Sequence, residues 1–157
     1  FNGDLSNWDV SNVTNMKTMF NASPFDGDIS SWDVSSVTNM GSMFPYTPFN
    51  GDLSNWDVSN VTNMEDMFFF TTSFNQPIGD WDVSSVTNMS RMFRNATSFN
   101  QPIGDWDVSS VTNMSRMFRN ATSFNQDLSS WDVNNVSSYV EFSLNTPQWT
   151  LPKPNFN

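Results

Sequence analysis

The stretch that decides the fold runs from Phe74 to Phe93, FNQPIGDWDVSSVTNMSRMF, and returns unchanged from Phe99 to Phe118. Close variants of it begin at Phe1, Phe25, Phe49 and Phe124, so the chain holds six repeats, which we number one to six. The Trp of the Trp-Asp-Val motif recurs every 24 or 25 residues, at Trp8, Trp32, Trp56, Trp81, Trp106 and Trp131. A fixed period of this length is typical of repeat proteins, in which each unit buries its apolar face against its neighbours.

The apolar residues of repeat four change their spacing along the repeat. Trp81 and Val83 alternate with polar residues, which predicts a short half-buried strand. Met89, Met92 and Phe93 then follow at i, i+3 and i+4, which predicts a short helical turn. The predicted core set of this repeat is Phe74, Ile78, Trp81, Val83, Val86, Met89, Met92 and Phe93. The sequence therefore predicts an α/β repeat solenoid of six coils, with short parallel strands on one face and short helical turns on the other.

The last repeat departs from the pattern, which predicts a boundary near its end. Tyr139 and Phe142 replace the two Met residues, and the repeat is then lost. We predict a six-coil solenoid over residues 1–142 and a C-terminal cap or tail over 143–157, with Trp149 and Leu151 packed on the last coil. The chain begins within a repeat and without Met, which we interpret as a fragment or a processed product.

Two columns of polar residues accompany the apolar ones. The first, which we expect to point inward and to be inaccessible, is Asn15, Asn39, Asn63, Asn88 and Asn113. The second is Asn2, Asp26, Asn50, Asn75, Asn100 and Asn125. Stacked amides of this kind persist by hydrogen bonding to the backbone of neighbouring coils. We therefore interpret both columns as structural.

The composition excludes several classes of function. The net charge is −10, from 16 acidic and 6 basic residues, and the chain has no His and no Cys. Nucleic acid calls for a basic surface, as does adsorption on anionic membranes. No apolar run approaches the length of a membrane span. We expect no nucleic-acid partner, no membrane insertion and no enzymatic activity, since identical repeats four and five offer no pair of unlike carboxylates for catalysis.

A column of aspartates is the candidate metal site. The Asp of each Trp-Asp-Val motif is expected to point outward, with about 4.8 Å between neighbouring coils. Oxygen ligands suit Ca²⁺, so Asp57, Asp82 and Asp107 are candidate calcium ligands. The alternative is that each Asp accepts hydrogen bonds from nearby Ser or Asn residues. No cofactor other than calcium is predicted.

The residues that differ between repeats lie on the predicted loop edge and form the candidate partner site. They are Tyr46 in repeat two, Phe69 and Phe70 in repeat three, and Arg94 and Arg119 in repeats four and five. Aromatic residues and Arg are the side chains most often found as binding anchors. A protein or cell-surface partner is therefore predicted to bind here, unless the Phe residues fold into a local pocket.

The repeat also resembles a known family. Ile78-x-x-Trp81-x-Val83-x-x-Val86 is similar to the leucine-rich-repeat frame, although Val86 replaces the usual Asn or Cys and Asn88 follows two residues later. The whole unit resembles the BspA-type leucine-rich-repeat surface proteins. The resemblance implies a non-enzymatic extracellular or cell-surface module for adhesion or recognition. The alternative is a structural subunit of a surface filament or coat, formed by self-assembly.

Overall fold

The structure, a computed structural model, describes residues 2–156 and corrects the predicted fold class. These residues form no helix and no extended strand; they follow a succession of tight turns. Isolated parallel bridges join each repeat to the next, at Asn15–Asn39, Asn39–Asn63, Asn63–Asn88, Asn88–Asn113 and Asn113–Ser138. The prediction of an α/β leucine-rich-repeat solenoid with strands and helical turns is therefore wrong. Phe1 and Asn157, the outermost residues of the two predicted parts, lie outside the described residues.

The segment predicted as a helical turn alternates between two kinds of hydrogen bond. The amide of Met92 donates to the carbonyl of Met89 in the same repeat (3.2 Å), whereas the amide of Arg91 donates to the carbonyl of Ser115 in the next (2.9 Å). In an α-helix every amide bonds to the carbonyl four residues earlier, so this alternation excludes a helix. The turns nevertheless bury Met89, Met92 and Phe93 together.

Each repeat holds two non-glycine residues with positive φ. They form one column of Thr18, Ser42, Asp66, Arg91, Arg116 and Glu141, and a second column of Ala22, Tyr46, Phe70, Asn95, Asn120 and Asn145. Each lies at the third position of a turn, as a type II turn requires. The left-handed conformation costs a residue with a side chain about 1–2 kcal/mol. Hydrogen bonds between repeats offset that cost, since the amide of each of the first five residues of both columns donates to the next repeat.

The predicted core set is confirmed in repeat four, where all eight residues are buried. Five of the six motif Trp residues are buried, and Trp81 shows how they contact both neighbouring repeats. Nε1 of Trp81 donates to the carbonyl of Leu53 in the preceding repeat (3.0 Å), and its ring stacks on Trp106 with 6.5 Å between centroids. Trp8 is the exception, because its side chain is 55% exposed and no described repeat precedes it. The Trp residues therefore connect neighbouring repeats as well as filling the core.

The two polar columns behave differently from each other. In the second column each side chain accepts the backbone amide of the following repeat, as Asn75 does from Asn100 (2.9 Å), which confirms the predicted link between coils. The first column is not inaccessible. Asn88 is half-buried, and its Oδ1 accepts the amide of Ser90 two residues later (3.0 Å). These residues therefore shape the turn within their own repeat.

The C-terminal residues continue the stack for a short distance. Trp149 is buried and packs edge-on against Phe124 with 4.7 Å between centroids, while the amide of Leu128 donates to the carbonyl of Pro152 (2.9 Å). Leu151, which was predicted to pack on the last coil, is instead 43% exposed. Trp149 thus covers the end of the Phe column, whereas Leu151 does not.

Candidate recognition site

Three aromatic rings from repeats two and three meet on the loop edge. The rings of Tyr46 and Phe70 stack with 5.2 Å between centroids, and Phe69 meets Tyr46 and Phe70 edge-on at 5.3 and 4.9 Å. Tyr46 is 55% exposed and Phe70 37% exposed. Such rings present a large apolar contact area, and their side chains lose little conformational entropy when a partner binds. We call these three residues, together with Arg94, which lies over the Phe69 ring, the aromatic cluster.

The backbone register places these side chains next to one another. The amide of Tyr46 donates to the carbonyl of Phe69 (3.1 Å), and the amide of Phe70 donates to the carbonyl of Arg94 (2.9 Å). Tyr46 and Phe70 both have positive φ, at 58° and 54°. Positive φ is unusual for bulky residues, whereas Asn tolerates it well. Two exposed aromatic residues therefore occupy backbone positions where repeats four, five and six have Asn.

Arg94 completes the cluster. Its guanidinium carbon lies 5.1 Å from the centroid of the Phe69 ring, within the range of a cation–π contact. Its Nε is buried and has no acceptor. Within residues 2–156, Arg94 forms no ion pair. The structure therefore brings together four of the five residues that the sequence indicates as a partner site.

The fifth residue, Arg119, lies outside the cluster. Its Nη1 bonds to Oε2 of Glu141 in repeat six (2.5 Å), and Nε of Arg116 bonds to the same oxygen (2.7 Å). The hydrogen bond from Arg116 is the main cause that lowers the pKa of Glu141. In the identical fourth repeat, Arg91 bonds instead to acidic residues of repeat three. Three arginines of this edge, Arg91, Arg116 and Arg119, are therefore paired with carboxylates of neighbouring repeats.

Glu65 and Asp66, the acidic partners of Arg91, were not predicted from the sequence. Its Nη2 bonds to Glu65 (2.6 Å) and to Asp66 (2.8 Å), and Asp66 is the main cause that raises the pKa of Arg91. A usable signal was present, because Glu65 and Asp66 occupy the same positions in repeat three as Ser90 and Arg91 in repeat four. Comparison of neighbouring repeats position by position would have predicted these pairs.

The candidate metal ligands are engaged with neighbouring Ser residues. Oδ1 of Asp82 accepts the hydroxyl of Ser84 (2.6 Å) and its amide (3.1 Å), and Asp107 bonds to Ser109 in the same way. The Ser hydroxyl is the main cause that lowers the pKa of Asp82 and of Asp107. Asp57 also accepts the Ser59 hydroxyl (2.6 Å). No group of three or more His, Cys, Asp or Glu residues in the described part of the chain is placed to hold a metal ion.

Calcium binding by Asp57, Asp82 and Asp107 stays a prediction, and thermal unfolding tests it. An ion that binds only the folded chain raises the melting temperature by mass action. The protein is melted in millimolar calcium and in a chelator, with Asp82→Asn combined with Asp107→Asn as the control variant. A higher melting temperature in calcium that this variant lacks would support the site, whereas superimposable curves would leave the Asp residues with their Ser contacts alone.

The same Asp–Ser contacts predict how stability depends on pH. The hydrogen bonds from Ser84 and Ser109 hold the pKa of Asp82 and of Asp107 below the usual value of an aspartate. Stability that arises from a lowered pKa is present above the unfolded value and is lost as the pH falls through the folded value. Ser84→Ala with Ser109→Ala is therefore expected to lower the melting temperature at pH 7 and to change it little at pH 2. An equal decrease at both pH values would contradict this account.

Comparison with known proteins shows the family of the chain. A family model described as "Mycoplasma protein of unknown function, DUF285" matches residues 1–58 and 45–149. No curated protein and no solved structure matches the chain. In the part that the structure describes, there is also no helix long and apolar enough to cross a membrane.

Proposed function

The chain belongs to the DUF285 family of Mycoplasma proteins of unknown function, and we propose that it is a non-enzymatic module for recognition or adhesion at the cell exterior. The proposal rests on the residues that the structure places on its surface. The aromatic cluster is the contact site for a protein or cell-surface partner. The resemblance of the repeat to the BspA-type surface proteins supports the extracellular location. The absence of His and Cys from the sequence supports a binding role over a catalytic one.

One observation carries this proposal: exposed aromatic residues occupy strained backbone positions. Tyr46 and Phe70 have positive φ and remain 55% and 37% exposed. Hydrogen bonds between repeats offset the cost of positive φ in every repeat, but positive φ is less favourable for a bulky ring than for Asn. Burial of these rings in the core does not offset that difference. Strained residues concentrate at functional sites, because there the local cost is compensated by the surrounding structure. A binding role accounts for aromatic rings at positions that Asn would fill at lower cost.

The test replaces both residues by the residue of the later repeats. Beads that carry wild-type protein or Tyr46→Asn combined with Phe70→Asn are applied to cultured epithelial cells and to bacterial cells, and the beads retained after washing are counted. Loss of an aromatic anchor costs about 2 kcal/mol or more, which is roughly a 30-fold loss of affinity. We expect retention to fall close to that of uncoated beads. The stability of the folded variant is expected to be equal or higher, because Asn tolerates positive φ.

A second variant separates the loop edge from the repeated Asp surface. Asp82→Asn combined with Asp107→Asn alters the exposed carboxylates and leaves the aromatic cluster intact. Wild-type retention by this variant, together with loss in the aromatic variant, would support the proposal. The reverse result would place the contact on the Asp column and would refute it. Equal retention by both variants and the wild type would refute the aromatic site as well.

A further inference from the structure

We infer that the aromatic cluster recognises a polypeptide segment in which an aromatic or aliphatic side chain lies beside an Asp or Glu, whose carboxylate binds Arg94. This inference rests on the proposed function and names the chemistry of its partner. Two features of the cluster carry it: Arg94, which forms no ion pair within residues 2–156, and the Tyr46 ring, which is 55% exposed.

Arg94 differs from the other arginines of the loop edge. Arg91, Arg116 and Arg119 each form an ion pair with a carboxylate of a neighbouring repeat. Arg119 occupies the same position as Arg94 in an identical repeat. However, Arg119 forms a hydrogen bond to Glu141, whereas Arg94 lies over the ring of Phe69. A guanidinium presents several donors that match a carboxylate in geometry. Arg94 is therefore the arginine of this edge that has no carboxylate partner within residues 2–156, so its guanidinium can pair with a partner's carboxylate.

The Tyr46 ring is more than half exposed although Phe70 stacks on it. Phe70 packs on one side of this ring, and the same column continues to Ala22 in repeat one on the other. A methyl group is too small to cover a phenol ring, which agrees with the 55% exposure of Tyr46. The exposed part of the Tyr46 ring is therefore a surface on which an aromatic or aliphatic group can stack. Offset stacking of two rings adds stabilisation beyond the buried area alone.

The charge of the protein limits the partner further. The chain carries a net charge of −10, and three of the four loop-edge arginines are paired with carboxylates. A densely acidic polymer is therefore repelled, because little positive potential remains to attract it. A segment with one carboxylate next to one apolar side chain matches the cluster, because the carboxylate can pair with Arg94 and the apolar side chain can pack on the exposed rings. The affinity for such a segment is expected to decrease only weakly with salt, as a single charge pair requires.

The experiment uses two tetrapeptides that differ in one charge. Acetyl-Gly-Trp-Glu-Gly-amide and acetyl-Gly-Trp-Gln-Gly-amide are titrated into the ¹⁵N-labelled 157-residue chain, and amide and arginine Nε resonances are followed by NMR. We expect both peptides to shift resonances of the cluster, and the acidic peptide to bind roughly three- to tenfold more tightly. Arg94→Gln is expected to abolish that difference and to keep the weaker binding. Arg119→Gln, the matched change in the next repeat, is expected to keep the difference.

Other outcomes overturn the inference without ambiguity. Equal affinity of the two peptides for wild type removes the role of Arg94 and leaves the aromatic site of the proposed function in place. If neither peptide shifts the cluster, the inference fails, and the bead assay alone decides the proposed function. Tighter binding of D-glucuronate than of the acidic peptide would assign the cluster to acidic glycans. Shifts that depend on protein concentration without peptide would assign it to a second copy of the chain.

Discussion

Replacement of Trp81 by alanine is expected to lower the free energy of unfolding by about 3–5 kcal/mol, the range typical of large-to-small core substitutions. Trp81 is 4% exposed, stacks on Trp106 and donates its indole N–H to the carbonyl of Leu53. Alanine removes the ring, leaves a cavity between repeats and removes one of the two hydrogen bonds that the Leu53 carbonyl accepts; the other comes from the amide of Trp56. Urea unfolding followed by circular dichroism measures the loss.

Two further substitutions divide this effect into its causes. Trp81→Phe keeps most of the apolar volume and removes the hydrogen bond, so it is expected to cost about 1–2 kcal/mol. Trp8→Ala removes the same residue type from repeat one, where Trp8 is 55% exposed. We expect that change to cost about 1 kcal/mol or less. Equal losses at Trp8 and Trp81 would show that contact between repeats does not stabilise the Trp column.

The core could be predicted from the sequence because burial depends on the pattern of side chains. Trp81 and Val83 alternate with polar residues, and Met89 and Met92 are three residues apart. This spacing restricts which residues can be buried together, but it does not specify which backbone hydrogen bonds the chain forms. The buried set was therefore right although the backbone conformation assigned to it was wrong.

The turns could not be predicted, because local spacing does not report hydrogen bonds to a neighbouring repeat. Met89, Met92 and Phe93 have helical spacing, but the amides of Arg91 and Phe93 donate to the next repeat. Positive φ is usually recognised from Gly, yet the residues that adopt it include Arg91 and Phe70. Their conformation is imposed by the stack and carries no local sequence signal.

The candidate site was predicted in part for a related reason. Residues that differ between repeats at one edge indicated Tyr46, Phe69, Phe70 and Arg94, and these four residues meet in the structure. Arg119 was predicted in the same site because it lies on the same loop edge, at the position in repeat five that Arg94 has in repeat four. Its environment differs, since Arg119 pairs with Glu141 of repeat six, whereas Arg94 lies over the Phe69 ring of repeat three. In a stacked chain, the neighbouring repeats decide what a residue contacts.

Replacement of Phe93 by alanine is expected to cost about 3–5 kcal/mol of unfolding free energy. Phe93 is fully buried, and its ring stacks on Phe99 with 4.0 Å between centroids. It also continues a column of rings, with Phe68 at 5.7 Å and Phe118 at 5.5 Å. Alanine interrupts that column in the middle of the stack. The destabilisation is measured by urea unfolding and by hydrogen exchange of the backbone amides.

The exchange pattern distinguishes a broken stack from a general loss of stability. Each repeat is stabilised by its nearest neighbours, so amides that donate between repeats three, four and five are expected to lose most protection, before those of repeats one and six. Phe70→Ala is the matched control, because it removes the same ring from an exposed site in the adjacent repeat. We expect it to cost about 1 kcal/mol or less. If Phe93→Ala costs no more than Phe70→Ala, a continuous Phe column is not the stabilising element of the stack. A uniform loss of protection along the chain in Phe93→Ala would contradict it as well.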